Sequence, residues 1–264
     1  MSEDKPKNID EYKNWLKDKH EVLITNRTKT YYESVANTIV KDFSNSALWN
    51  ALLNELELIN QEYYLKTSYN LLYANITPDL KVKPFNSFLL KTLRKNVLEN
   101  SKWPEEPEQG WILPSNWYTQ INDITRTLII VKYLDGVNFL VERIQPIVEQ
   151  YGSLFNVDFE AKEEGYYAAH LYVQYDCQIP QENWDVEKIQ AMIEIQITTQ
   201  LQEVIRRLLH KYYEDRRERT KEDGLKWQWD YKSDEFGANY LGHILHYVEG
   251  MIVDIRERQK EPML

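Results

Sequence analysis

Residues 191–199 alternate in character with period two. Ile193, Ile195 and Ile197 fall on one side of an extended strand, and Glu194, Gln196 and Thr198 fall on the other. A strand that runs into a helix usually has one apolar and one solvated face, so Glu194 and Gln196 taken alone face water. Thr199 caps a helix beginning at Gln200. The fold must therefore supply partner strands for this segment and an apolar layer for its isoleucines.

The chain is long enough to do so. Its 264 residues suit one sizeable domain, or one domain with an added subdomain. Lys and Arg total 32 against 42 Asp and Glu, a formal net charge of −10, which disfavours a non-specific grip on nucleic acid. Cys177 is the only cysteine, excluding a disulfide within the chain and a zinc site built from several cysteines. The first residues hold no apolar signal core, and no run of about 18 apolar residues occurs. These features predict a soluble, cytoplasmic protein with no membrane partner.

Helical periodicity runs through residues 9–20, 23–43 and 48–73, with a break at Ser44, Asn45 and Ser46. Tyr63, Tyr64, Tyr69 and Tyr73 recur at helical spacings and are expected in the core. Pro84 suits the first turn of the next helix. Within it Lys83, Ser87, Lys91 and Arg94 share an arc of roughly 80°, opposite Phe85, Phe88, Leu89 and Leu93. None of the four has an acidic residue three or four positions away inside the segment, so the positive charge is available to a polyphosphate.

Residues 101–119, with Pro104, Pro107, Pro114 and three tryptophans, read as a long ordered or lid-like loop. It leads to Asp123 at the start of a largely buried strand over 124–132. Asp135 and Gly136 close that strand, and a helix over 137–150 is interrupted late by Pro146. Strands follow over 155–159 and 166–175, the second placing His170, Tyr172 and Gln174 on one face. The helix after Thr199 buries Leu201, Val204, Ile205, Leu208 and Tyr212, and Arg216, Arg217, Arg219 and Lys221 form a basic cluster beyond it. A last helix, capped at Ser233, turns Phe236, Tyr240, Ile244, Met251 and Ile255 inward, while His243 and His246 lack a third metal ligand nearby. No repeat, P-loop or glycine-rich dinucleotide fingerprint occurs. The pattern is an α+β fold in three segments: an N-terminal helical extension over 1–75, a core over 76–220 and a C-terminal helical extension over 221–264.

In order and spacing, several pieces resemble the synthetase domain of the RelA/SpoT family of alarmone nucleotide pyrophosphokinases. They are Lys83-x-x-x-Ser87-x-x-x-Lys91-x-x-Arg94, Asp123-Ile124 opening a strand, Gly165-Tyr166-x-x-x-His170, and Glu194-Ile195-Gln196-Ile197-x-Thr199 with His210 further along. The resemblance implies a nucleotidyltransferase-like fold, a mixed sheet flanked by helices. It implies transfer of the β,γ-pyrophosphate of ATP to the 3′-hydroxyl of a guanosine nucleotide, GDP or GTP. On that basis Lys83, Ser87, Lys91 and Arg94 bind ATP, and Asp123 and Glu194 are the catalytic and Mg2+-binding carboxylates. Tyr166, His170, Gln196 and His210 serve the acceptor. The chain departs from the family where Arg126 and Leu128 replace the usual Gly and Arg, where Tyr167 replaces an Arg or similar residue, and where Thr198 replaces an Arg.

Two further readings stay open. One is a toxic relative that pyrophosphorylates the 3′ end of tRNA, gripping RNA through the basic cluster between Arg206 and Lys221. The other is a lapsed catalyst that binds a nucleotide and regulates a protein partner; an active chain would instead be controlled by expression, ligands, homo-oligomerisation or another protein. No His-Asp dipeptide of the family's hydrolase half is present, which implies a synthetase without its own hydrolase.

Overall fold

A computed structural model describes residues 4–74, 77–181, 185–217 and 226–259, with the side chains of 209–217 outside the description. Helix α1 (Ile9–His20) opens at Asn8, whose side chain accepts from Glu11 N–H, and closes on Lys17, Lys19 and His20, the charge order that suits a helix dipole. Helix α2 (Asn26–Ser44) starts later than its periodicity predicts because Thr25 and Thr28 form a reciprocal capping box. Helix α3 (Ala47–Thr67) stops well short of residue 73. Thr67 Oγ1 donates back to the Tyr63 carbonyl at 2.7 Å, and Ser68 turns left-handed at φ 66°. Tyr64, Tyr69 and Tyr73 are consequently exposed, and only Tyr63 of that set is core.

Strand β1 (Lys81–Val82) leads into α4 (Phe85–Leu93), with Pro84 at its N-cap. A π-helical turn, Arg94–Leu98, continues α4. After α5 (Trp117–Gln120) come β2 (Thr125–Val131) and α6 (Leu134–Gln150). Asp135 and Gly136 lie in the first turn of α6 rather than closing the strand, and Pro146 stays inside the helix without ending it. Strands β3 (Phe155–Ala161), β4 (Tyr167–Pro180) and β5 (Val186–Thr199) are followed by α7 (Gln200–Arg217), a 3-10 turn (Trp227–Trp229) and α8 (Asp234–Arg258). The five strands form one mixed sheet in the order β1-β2-β5-β4-β3. The β1–β2 pair is antiparallel with Lys81 opposite Arg126, and the β3–β4 pair is antiparallel with Asp158 opposite His170.

The chain forms two compact units, residues 1–46, 80–126 and 174–194 in one, and 47–79, 127–173 and 195–264 in the other. In the first, Tyr12, Trp15, Leu16, Leu93 and Val97 make a core to which the loop tryptophans Trp103 and Trp111 are added. The loop after the π turn is thus ordered by burial. Asn96 pins it further, its amide donating to Tyr12 Oη at 2.7 Å and to the Ile112 carbonyl at 2.9 Å. Cys177 is buried in this unit, and burial pushes its thiol up to about 11.

In the second unit Arg256 of α8 anchors on Tyr63 Oη at 2.9 Å and forms an ion pair with Asp135. The buried residues of α8 are Ala238, Asn239, Gly242, Glu249 and Arg256, whereas Tyr240, Ile244, Met251 and Ile255 are exposed. This reverses the inward stripe expected for that helix. Two stripes compete along α8, and the one that packs combines small residues, which let backbones approach, with polar anchors. Gly242 lies so close to Gly165 that a Cβ there would meet the Gly165 carbonyl oxygen at 2.4 Å. The expected stripe of α7 is corrected likewise: Ile205 is buried, but Val204 and Leu208 are 48% and 72% exposed, and Gln202 and Glu203 are buried instead.

Candidate active site

Six of the residues singled out from the sequence belong to the first unit: Lys83, Ser87, Lys91, Arg94, Asp123 and Glu194. Residue Lys83 ends the extended segment before α4, with its N–H held by the Ile124 carbonyl at 2.8 Å and its own carbonyl accepting from Tyr32 Oη at 2.9 Å. Those two contacts aim a buried ammonium at Asp123, Nζ to Oδ2 at 2.8 Å. Lys91, two turns along α4, reaches the other oxygen at 2.9 Å. Phe85, Phe88, Leu89 and Leu93 are buried on the opposite face, as the helical spacing predicts. The cations are therefore not unpartnered, since the carboxylate that meets them comes from outside the helix.

Burial alone would push the Asp123 carboxyl up, but the charges of Lys83 and Lys91 overcome it and hold the group at about 2. Burial also pulls the Lys83 ammonium below its usual range, because one shared carboxylate answers both lysines while Arg126 and Lys91 repel it. Two cations on one carboxylate leave positive charge to spare, the condition for taking an anion. Arg94 does not join them, forming an exposed ion pair with Glu99 instead. Ser87 is half-buried on the same helix.

Glu194 lies on β5 and is only 3% exposed, so its strand face is not solvated as the alternation first implies. Thr198 on that face is buried too, and Gln196 is half-buried. Among the described residues no group of three or more His, Cys, Asp or Glu can enclose a metal ion. Asp123, held deprotonated, and Glu194 are nevertheless each buried carboxylates of the first unit, the donor type that Mg2+ takes when phosphates and water complete its shell.

The second unit brings Tyr166 and His170 together, Tyr166 Oη lying 3.1 Å from His170 Nε2. Lys162 Nζ sits 5.2 Å from the Tyr166 ring centre, and its ion pair with Glu160, at 2.8 Å, extends to His170 at 3.4 Å. Gly165, at φ +77°, makes the turn that delivers Tyr166 to the start of β4. His210 lies on α7 with its side chain outside the described residues, as do the side chains of Arg216 and Arg217 and all of Arg219 and Lys221.

Against solved structures, the chain is similar to small alarmone synthetase 1 from Bacillus subtilis, at 17% identity and a TM-score of 0.51 over 89% of this chain and 97% of that one. The fold is that of a small alarmone synthetase. The same enzyme bound to its product pppGpp aligns at 19% identity and a TM-score of 0.49, covering 84% and 93% of the two chains. A GTP pyrophosphokinase family protein from Streptococcus pneumoniae aligns at 17% identity and 0.47, covering 84% and 94%. Neither a protein-family profile nor a curated protein matches the sequence.

On this small alarmone synthetase fold, two departures from the family pattern touch each other. Thr198 Oγ1 donates to the Tyr167 carbonyl at 3.0 Å. The Tyr167 ring stacks on His246 at 3.6 Å and 2°, and its hydroxyl meets His243 Nδ1 at 2.8 Å. His243 Nε2 in turn meets the Glu163 carbonyl at 2.8 Å, so this imidazole ties α8 to the turn before Tyr166. Motif reading weighs these histidines only as a metal pair without a third ligand, because their partners lie about 80 residues away. It passed over Lys95, which helix arithmetic does reach, one turn beyond Lys91.

Proposed function

We propose that this chain transfers the β,γ-pyrophosphate of ATP to the 3′-hydroxyl of a guanosine nucleotide, making an alarmone of the guanosine tetra- or pentaphosphate type. The observation that carries the reading is the pair of lysines, Lys83 and Lys91, converging on the deprotonated Asp123 at 2.8 and 2.9 Å. Phosphoryl-type transfer is mostly positioning and charge stabilisation, and such a cluster supplies both for the donor. Lys83, Ser87 and Lys91 hold the ATP phosphates in this reading, whereas Arg94, the fourth residue of the motif, is engaged by Glu99. Asp123 and Glu194 hold Mg2+, which neutralises charge on the transferring group when bound. Glu194 takes the proton of the acceptor hydroxyl, whose oxygen bonds to the β-phosphorus while the bond to the α,β-bridging oxygen breaks and AMP departs. Tyr166 stacks on the acceptor base, with His170, Gln196 and His210 around it. The reading sets the enzyme in the cytoplasm.

One observation favours a second acceptor. Where the family usually carries two cations, Tyr167 and Thr198 form a cluster with His243 and His246 that holds no Lys or Arg. An acceptor without a 5′-polyphosphate, such as the 3′ end of tRNA, needs no cations there.

Incubation with Mg2+ and γ-labelled ATP, offering GDP, GTP, AMP, ADP and bulk tRNA separately, tests both. Label on a guanosine nucleotide, absent with Glu194→Gln, is the expected result. Label on tRNA alone selects the second acceptor, and no transfer with ATP still bound points to a regulatory nucleotide-binding module. Glu194→Gln should abolish transfer while leaving ATP affinity nearly intact, and an equal loss of ATP binding would remove Glu194 from the chemistry.

A further inference from the structure

From the π turn we infer that Lys95, rather than Arg94, completes the polyphosphate-binding face of α4. The inference rests on the donor half of the proposed function and is independent of the acceptor. In an unbroken α-helix Lys95 lies roughly 40° from Lys91, and Arg94 roughly 60° to the other side. Here Glu99 N–H bonds to the Arg94 carbonyl at 2.8 Å, five residues back, so the helix widens at this point. Such insertions recur at functional sites because they re-aim side chains.

The widening has two visible consequences. Asn96 and Val97 are buried, Asn96 being fixed by Tyr12 and Ile112, which sets the orientation of the turn. Arg94 is diverted outward to Glu99, where its guanidinium is engaged and half-exposed. Lys95 is left half-buried one turn beyond Lys91, with burial and then Lys91 drawing its ammonium below the usual range against the opposing pull of Asp123 and Glu99. The single carboxylate of Asp123 already answers Lys83 and Lys91. A third cation beside them is unfavourable until an anion of several charges arrives, and the triphosphate of a nucleoside is such an anion. Lys95 thus supplies the contact that the motif alone assigns to Arg94.

The test is calorimetric titration of the purified full chain with inorganic tripolyphosphate and with MgATP, comparing Lys95→Gln, Lys95→Arg, Arg94→Gln and Lys91→Ala. Lys95→Gln should weaken both ligands by about tenfold or more, Lys95→Arg should restore most of that loss, and Arg94→Gln should change affinity by less than about threefold. Wild-type affinity in Lys95→Gln, with Lys91→Ala weakened, overturns the role of Lys95 and leaves the donor site standing. A tenfold loss in Arg94→Gln with none in Lys95→Gln returns the contact to Arg94. Absence of binding of either ligand to the wild type overturns the donor reading and this inference together.

Discussion

Lys91 and Glu249 show opposite uses of a charged side chain. Lys91 is half-exposed and shares Asp123 with Lys83, so an incoming phosphate can take it over without uncovering a bare charge. Lys91→Ala should weaken ATP binding by about 1–3 kcal/mol in a direct titration, and an unchanged affinity would make it an ordinary solvated residue. Glu249 of α8 is buried near Thr199 and Gln202, and burial pushes its carboxyl up to about 7 against their pull. The native state therefore holds a proton that the unfolded chain, near 4.5, releases. Stability from this group falls as pH rises from about 4.5 through about 7 and then levels. His246, whose imidazole burial holds below its ordinary range, contributes the opposite slope on its acid side. Urea midpoints at pH 5 and pH 8 should thus diverge between wild type and Glu249→Gln, the variant lacking the loss at pH 8. Equal pH dependence in both proteins would show that Glu249 is ionised throughout.

At the level of elements, α8 carries the argument. Its packing stripe allows the Gly165–Gly242 approach, so Gly242→Ala should cost about 1–3 kcal/mol in chemical denaturation through overpacking. Ile244→Lys and Ile255→Glu, on the exposed stripe, should change stability by no more than about 0.5 kcal/mol. A reversal of that order would restore the stripe that periodicity alone suggests. The helix itself was legible in the sequence, down to its cap, where Ser233 Oγ accepts from Phe236 N–H. Which face packs was not, because apolar spacing fits the stripe of Tyr240 and Ile244 as well as that of Ala238 and Gly242. The strand over 191–199 shows the same limit. Its alternation was legible and correct, yet Glu194 and Thr198 are buried, since a strand inside a sheet is covered on both faces. On α4 the cationic face was legible from helical spacing, while its partner Asp123, forty residues away, and the π turn that re-aims Lys95 depend on tertiary contacts.

For the molecule as a whole, the overall charge of −10 and the local excess of cations around Asp123 have to be weighed together. A ligand that binds only the native state stabilises it by mass action, about 2.7 kcal/mol at one hundred times its dissociation constant. MgATP at that level should raise the unfolding midpoint of the wild type accordingly and that of Lys91→Ala less. Equal shifts in the two would place the bound nucleotide elsewhere. The long helices, the sheet and the order of the motifs all follow from local pattern and agree with the fold, whereas the pairing of Tyr167 with the α8 histidines needed the folded chain.

Cys177 bears on how such binding can be followed. The single thiol of the chain is buried and its ionisation is pushed up to about 11, so at neutral pH almost none of it is the reactive thiolate. A cysteine introduced on a surface loop should accordingly take a maleimide dye selectively in the otherwise native protein, giving a site-specific fluorescent reporter of nucleotide binding with no need to remove Cys177 first.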